Sequence, residues 1–162
     1  MIIWIASYPK SGNTWVRSFV TAYYFCENGI FDIDKLILIQ DYPNKQFFKE
    51  TVKKGEIHKH WDSSQKNICS EKKVKFLKTH NSLITAFGNN FTKPEYSLGV
   101  IHVIRDPRNI ITSLKNHYDF ETYERALKFM QDENKVLEDY PHLKNYAKTN
   151  IINSWRINYQ SW

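Results

Sequence analysis

The chain has 162 residues, a net charge of +6 at pH 7 and 41% hydrophobic residues. This length predicts one domain, residues 1–162, with an apolar core of its own. Two cysteines are too few for a disulfide framework, and no apolar run approaches the roughly 20 residues of a membrane helix. We therefore expect a cytoplasmic protein with no membrane partner. The positive charge suits an anionic ligand, but it is spread out and lacks a nucleic-acid reader motif, so we expect no nucleic-acid partner.

A buried strand and a long helix are the first elements that the sequence predicts. The apolar run over residues 2–7 is typical of a buried strand, and residues 13–27 follow as a helix. Four large side chains recur along this helix at helical spacing. They are Val16, Phe19, Val20 and Tyr23. We expect them to form the stripe that the helix buries against the core.

The loop between this strand and this helix has the composition of a phosphate-binding turn. Free backbone N–H groups and the positive end of the helix dipole converge at such a loop. Gly12 allows close approach of the backbone, and Lys10 adds a positive charge. Ser11 and Thr14 add hydroxyl donors. The order differs from the usual Walker A motif, because the lysine precedes the glycine. The alternative is an ordinary strand–turn–helix corner with a solvated Lys10.

The next part of the chain gives weaker signals. Residues 32–40 are apolar but short, so both a strand and a helix are compatible with them. Residues 45–54 predict a charged helix that ends near Gly55, and residues 56–73 predict a polar, loop-rich stretch. No repeat or low-complexity linker interrupts this part, which favours a single domain.

Further strands and helices follow in the second half of the chain. Residues 74–79 and 98–105 predict buried strands. Asp106 is expected to cap the next helix, with Pro107 at its first position, and another helix covers residues 121–138. Strands that alternate with helices favour an α/β fold, in which a parallel sheet is flanked by helices in three layers.

The last predicted helix extends to the end of the sequence. Residues at helical spacing along it are Lys148, Ile152, Trp155, Tyr159 and Trp162. No capping glycine, proline or closing strand follows them, and three strands are few for a sheet of this class. We expect the fold to be incomplete at the C-terminus. The alternative is a terminal helix that docks and ends there.

Three stretches together resemble the sulfotransferases that use 3′-phosphoadenosine-5′-phosphosulfate (PAPS). The stretch from Tyr8 to Trp15 is similar to the family's 5′-phosphosulfate loop, Tyr-Pro-Lys-Ser-Gly-Thr-Thr-Trp, with Asn13 in place of threonine. Lys78-Thr79-His80 is similar to the family's Lys-Thr-His segment, without the Leu-Pro that usually follows. The stretch from Val103 to Ser113 is similar to the 3′-phosphate segment. The three stand in the family's order at similar spacing, and the resemblance is close over residues 2–120.

The resemblance implies a sheet like that of the P-loop NTPases and a role for each matching residue. The implied cofactor-binding residues are Lys10, Ser11, Gly12, Asn13, Thr14, Trp15, Arg105 and Ser113. Arg105 and Ser113 match the positions that hold the 3′-phosphate, and Trp15 matches the position against the adenine. Taken singly, Arg105 is more typical of a surface ion pair with Asp106 or a nearby acid, and Ser113 of a plain helix serine. Trp15 is equally compatible with a core aromatic.

The implied reaction is the transfer of a sulfuryl group from PAPS to a hydroxyl or amine of a small-molecule or glycan acceptor. Lys10 would neutralise charge on the leaving group, and Lys78 would be a second cation near the transferring group. His80 would be the general base; its alternative is a structural histidine at a strand end. The family mechanism implies no metal.

Two other functions stay open. One is a non-catalytic module that binds PAPS or its product, 3′-phosphoadenosine-5′-phosphate (PAP). The other is a kinase-type phosphoryl transferase, which would need a Mg²⁺-binding acid at a strand end. The family's Arg-Lys-Gly loop has no counterpart in the sequence. We therefore expect a fragment, a shortened gene product, or a fold completed by a partner chain or a second copy.

No motif identifies the acceptor. The region between residues 42 and 61 is rich in aromatic residues: Tyr42, Phe47, Phe48 and Trp61. We expect these side chains to line an acceptor pocket or to form a partner surface.

Overall fold

A computed structural model describes residues 1–138 and 146–162 of the chain. Its strands are β1 (Ile2–Ser7), β2 (Gln40–Asp41), β3 (Lys75–Thr79), β4 (Thr85–Ala86), β5 (Asn89–Asn90), β6 (Ser97–Val103), β7 (Val136–Leu137) and β8 (Asn150–Ile151). Its α-helices are α1 (Asn13–Phe25), α2 (Trp61–Cys69), α3 (Pro107–His117), α4 (Tyr123–Gln131) and α5 (Trp155–Ser161). Short 3₁₀ turns cover Glu27–Gly29, Ile33–Leu38, Lys45–Phe47 and Ile57–His60.

The centre of the fold is a parallel sheet with the strand order β2-β3-β1-β6. Strand β1 pairs in parallel with β3 on one side and β6 on the other, so that Ile5 lies between Lys78 and Ile101. Strand β2 extends the sheet beyond β3, also in parallel. The sequence predicted three of these strands and the α/β class, and both are confirmed.

Helices cover the two faces of this sheet. Ile2 and Trp4 point to the face that carries α2, where they join a buried cluster with Trp61 and Ile68. The alternate residue Ile5 points to the other face and packs near Val16 and Val20 of α1. A strand buried on both faces needs this continuous apolar sequence, which is why residues 2–7 could be identified from composition alone. The three-layer arrangement is confirmed.

The predicted buried stripe of α1 is wrong in part. Val16 and Val20 pack against the sheet, but Phe19 is 69% exposed and Tyr23 is 80% exposed. The side of the helix that turns inward also carries polar residues, Asn13 and Arg17, which bind neighbouring elements. Their hydrogen bonds rotate the helix away from the orientation that hydrophobic spacing favours.

Two predictions for the middle of the chain are wrong. Residues 45–54 do not form a helix beyond the turn Lys45–Phe47, because the aromatic residues there and Val52 pack into the core as an irregular segment. Residues 56–73 are not loop-rich, since they contain α2. Hydrophobic spacing does not indicate this helix, because its inner face is partly polar: Ser64 and Gln65 are buried together with Trp61 and Ile68.

The third predicted strand is present but is less buried than expected. In the described part of the chain β6 pairs with β1 alone, and Leu98 and Val100 are 54% and 43% exposed. Asp106 caps α3 as predicted, with its side chain accepting a hydrogen bond from the Arg108 amide.

The two helices predicted after α3 are shorter than expected. Helix α4 ends at Gln131, and the chain then enters β7, which pairs antiparallel with β8. Residues 150–151, which the sequence places in the last predicted helix, form β8 instead. Helix α5 begins after Ser154, whose hydroxyl accepts a hydrogen bond from the Ile157 amide.

We predict that the aromatic cluster around Trp4 carries much of the stability. Phe91 is fully buried, and its ring lies 5.3 Å from those of both Trp4 and Trp61. Phe91→Ala should lower the free energy of unfolding by about 3–5 kcal/mol, measured by urea denaturation. Phe19→Ala is the control, because this exposed side chain should cost less than about 1 kcal/mol. Equal losses in the two variants would contradict the packing described.

Candidate active site

The carboxyl ends of the parallel strands open onto one cavity of about 490 Å³. Its described lining consists of Pro9, Lys10, Gly12, Asn13, Thr14, Trp15, Arg17, Asp41, Tyr42, Pro43, Lys78, His80, Arg105, Ser113, His117, Tyr118, Leu137, Lys148 and Asn150. Five of these residues are lysine or arginine, and one is acidic. Ligands of open α/β sheets bind at this edge, and the charge balance of the lining favours an anion with more than one charged group.

The loop from β1 to α1 forms the centre of the cavity wall. Gly12 has φ 98° and ends the loop at the N-terminus of α1, where no side chain caps the helix. A side chain would be strained in this left-handed conformation. Lys10 also has a positive φ, 67°. The uncapped helix end and the lysine together give the electrostatics of an anion site.

Asn13 connects this loop to β1. Its side chain is almost fully buried, and Nδ2 donates to the Ile5 carbonyl at 3.1 Å and to Ser7 Oγ at 3.0 Å. Asn13 stands where the resembled motif usually has threonine, and its side-chain amide donates to groups inside the protein. Ser11 is also buried, and it does not line the cavity in the described structure. The remaining loop residues predicted from the sequence lie at the cavity.

His80 lies at the end of β3 and is fixed by β1. Its Nδ1 is 2.8 Å from the Ser7 carbonyl oxygen, which can only accept, so Nδ1 carries the proton. Nε2 then keeps its lone pair. Burial, together with the positive charge of Lys78, lowers the pKa of His80 to about 3. The ring is neutral at physiological pH, in the tautomer that a general base using Nε2 requires.

A chain of charged groups joins Lys78 to α1. Lys78 Nζ lies 3.6 Å from one carboxylate oxygen of Asp41, and Arg17 binds the other oxygen at 3.3 Å. Arg17 also donates to the carbonyls of Leu36 and Ile39, and burial lowers its pKa. Asp41 thus has a cation on each oxygen.

Arg105 and Ser113 lie at the other end of the cavity, where β6 leads into α3. Arg105 donates to the Lys10 carbonyl at 3.0 Å, which connects this end to the central loop. The expected alternative, a surface pair of Arg105 with Asp106, is not formed: Arg108 binds Asp106 instead and lowers the pKa of that carboxyl to about 2. Ser113, on α3, faces the cavity.

Trp15 stands at the rim of the cavity and is 73% exposed. The alternative of a core aromatic is therefore wrong. Its ring has the free surface that stacking against a planar ligand would need.

The aromatic residues between 42 and 61 do not form the expected acceptor pocket as a group. Tyr42 and Trp61 are fully buried in the cluster around Trp4, and Phe47 and Phe48 pack against that cluster. Of the four, Tyr42 alone lines the cavity. Large aromatic side chains in an irregular segment can fill a core as well as a pocket, and composition does not separate the two.

Several cavity residues were not identified from the sequence. Asp41 lies in β2, Asn150 lies in β8, and Lys148 lies just before β8; no sequence pattern indicated either short strand. Their positions at the cavity follow from strand pairing over long sequence distances. Arg17 gave a weak signal, as the one charged residue of α1.

Residues 1–138 and 146–162 contain no group of three or more His, Cys, Asp or Glu side chains arranged to hold a metal ion. In the same part of the chain no helix has the length and apolar character needed to cross a membrane.

The parallel sheet and its cation-lined carboxyl edge define an α/β protein whose cavity has the electrostatics of an anion site. Residues 2–162 match the family model described as "Sulfotransferase domain". The chain therefore belongs to the sulfotransferase domain family, and this membership indicates a transferase of the sulfuryl-transfer class. No curated protein matches the chain.

We predict that the buried neutral His80 makes stability depend on pH. The unfolded ring has a pKa near ~6.5 and the folded ring a pKa of about 3, so between these values the unfolded state binds the extra proton. The free energy of unfolding should then fall as the pH is lowered from 6.5 to 3. His80→Asn, which can still donate to Ser7, should lose less stability over this range in urea titrations. An identical pH dependence in both proteins would contradict the assignment.

Proposed function

We propose that the protein transfers a sulfuryl group from PAPS to a hydroxyl or amine of a small-molecule or glycan acceptor, in the cytoplasm. The observation that carries the proposal is the meeting of three distant segments at one cavity. Lys10, Lys78 and Arg105 lie on its wall together with His80 and Ser113. Membership of the sulfotransferase domain family supports the same chemistry.

The cavity fits a donor with a charged group at each end. The uncapped N-terminus of α1 and Lys10 would hold the 5′-phosphosulfate. Arg105 offers a two-pronged donor for the 3′-phosphate, and Ser113 adds a hydroxyl. Since β6 and β1 are neighbours in the sheet, both ends can be held within one molecule. Trp15 would lie against the adenine.

In this proposal the acceptor binds on the β3 side of the cavity. Strand β3 lies on the side of β1 away from β6, and it carries Lys78 and leads to His80. An acceptor bound there would approach the sulfur opposite the leaving phosphate, the in-line arrangement expected by analogy with phosphoryl transfer.

His80 Nε2 would take the proton of the acceptor hydroxyl or amine as the acceptor atom forms its bond to sulfur. The bond from sulfur to the bridging phosphate oxygen breaks, and its electron pair stays on that oxygen. Lys10 and Lys78 would neutralise the charge that develops there. The products are the sulfated acceptor and PAP, with the proton on His80. None of these steps requires a metal ion.

The low pKa of His80 has a consequence for this mechanism. Burial is its largest cause, and Lys78 adds to it by disfavouring a second positive charge nearby. A bound anionic donor offsets the Lys78 charge, so we expect the pKa of the ring to rise when the donor binds. The base would then become strongest in the complex in which it acts.

The kinase-type alternative receives little support. Asp41 is an acid at a strand end, as that chemistry would require, but each of its oxygens faces a cation, Arg17 or Lys78. A Mg²⁺ ion would have to displace them.

Binding of PAP is the direct test of the donor site. Calorimetry should show PAP binding that Mg²⁺–ATP does not compete away. Lys10→Ala and Ser113→Ala should each weaken it by about tenfold or more, because each removes a hydrogen bond to a charged phosphate. Lys128→Ala and Thr112→Ala are matched controls on exposed positions and should leave the affinity unchanged. Preferential binding of ATP would overturn the proposal in favour of phosphoryl transfer.

Turnover separates an enzyme from a binding module. Release of PAP from PAPS can be followed with 4-nitrophenol and with glucosamine as hydroxyl and amine acceptors. His80→Ala should lower kcat by about 10²–10⁴-fold, the range for loss of a general base, and should leave the affinity for PAP unchanged. Turnover that survives the substitution would remove His80 from the mechanism.

A further inference from the structure

We propose that α5 is a clamp that holds His80 in its reactive position, with Asn158 as the positioning residue at its centre. The inference rests on the proposed role of His80 as the base. Its own evidence lies in the hydrogen bonds that join α5 to the segment after β3.

The segment of residues 80–83 needs such a support. Strand β3 ends at Thr79, so the backbone of His80 lies beyond the regular pairing of the sheet. The imidazole is bonded to Ser7 through Nδ1, but this bond fixes the ring only if the backbone that carries it is also fixed.

Asn158 supplies the backbone contact. Its side chain is fully buried, and Nδ2 donates to the His80 carbonyl at 3.1 Å. The same amide nitrogen lies 3.1 Å from Ser82 Oγ and 3.1 Å from the Ile152 carbonyl. One buried amide therefore joins the residue that carries the base to Ser82 and to the segment just before α5.

Two neighbours of Asn158 extend the contact along the same segment. Trp162 Nε1 donates to the Asn81 carbonyl at 2.9 Å, and the Leu83 amide donates to Ser161 Oγ at 2.9 Å. Positions 158, 161 and 162 lie on one face of a helix. Helix α5 and the residue that follows it thus present three hydrogen-bonding side chains to residues 80–83.

Strand β8 holds the segment from a second direction. The Ser82 amide donates to the Ile151 carbonyl, and the Asn81 side-chain oxygen accepts from the Ile151 amide at 2.8 Å. These bonds are made by Asn81 and Ser82. The His80 carbonyl itself accepts its hydrogen bond from Asn158. Without the Asn158 amide, the part-buried carbonyl oxygen of His80 would lose this hydrogen bond. That loss favours a shift of residues 80–83.

The alternative is that Asn158 stabilises the fold without affecting the base. The two roles differ in what they do to His80. A clamp sets the tautomer and pKa of the ring, because it keeps Nδ1 close to Ser7. A purely structural residue changes the free energy of unfolding and leaves the ring as it is.

Asn158→Asp is the decisive variant. Aspartate has nearly the shape of asparagine, but when ionised it has no N–H donor and adds a negative charge near the His80 carbonyl. In ¹⁵N NMR of the imidazole, we expect a smaller fraction of the tautomer protonated at Nδ1. The added charge raises the pKa of the ring in either case, so a higher pKa without this change of tautomer would contradict the clamp. With PAPS and the two acceptors, kcat should fall by about 10–100-fold. The affinity for PAP should stay within twofold.

Two further variants control the experiment. Gln65→Glu makes the same amide-to-acid exchange at another fully buried position, on α2, where the side chain binds the Phe91 carbonyl instead. It should leave the NMR signals of His80 unchanged. Trp162→Phe removes the donor to Asn81 and keeps most of the ring. It should shift the His80 signals in the same direction as Asn158→Asp but less. If Asn158→Asp does not fold, the Trp162→Phe variant becomes the test of the clamp.

Unchanged His80 signals in folded Asn158→Asp, or in Trp162→Phe if that variant alone folds, would overturn the clamp. The same result follows if Gln65→Glu moves the signals equally. The NMR readout needs no turnover, so it stands even if the wild-type protein fails to transfer sulfuryl groups. Absence of transfer by the wild type would count against the proposed function and not against the clamp.

Discussion

The four central strands run in the same direction, and this shared direction determines where the cavity lies and which residues meet in it. Since the carboxyl ends of β2, β3, β1 and β6 lie at one edge, residues far apart in sequence meet there. Helices α1 and α3 begin at the same edge, after loops that follow β1 and β6. This edge of the sheet thus brings together two helix N-termini, and five lysine and arginine side chains line the cavity there.

Charge alone would give a binding site for an anion, and in the proposed mechanism the neutral imidazole of His80 would add a base. The Ser7 carbonyl fixes the proton on Nδ1, and burial beside Lys78 keeps the ring neutral. The cations that repel a proton from the ring are also those that an anionic donor would neutralise. Binding and activation of the base would therefore be coupled through the same electrostatic field.

The parts of the fold that follow from local patterns could be predicted from the sequence. Strand β1 is a continuous apolar run, α3 begins at an Asp-Pro pair, and the loop around Gly12 has its own composition. Other parts depend on partners distant in sequence. Strand β2 has two residues and exists because it pairs with β3, and α2 buries Gln65 through a bond to Phe91 that no spacing indicates.

The same division applies to the site. Lys10, Lys78, His80, Arg105 and Ser113 could be named because each stands in a motif, and all five line the cavity. Asp41 and Asn158 could not be named, because each acts through a tertiary contact with a residue more than 30 positions away. The inward turn of Arg17 and the exposure of Phe19 were missed for the same reason: the hydrogen bonds that orient α1 are made outside that helix.

In a crystal structure of the complex with PAP, we expect the 5′-phosphate at the loop around Lys10 and Gly12, the 3′-phosphate at Arg105 and Ser113, and the adenine against Trp15. The acceptor end beside His80 should remain open to solvent. A nucleotide bound at full occupancy with its phosphates away from both groups of residues would contradict the proposed donor site.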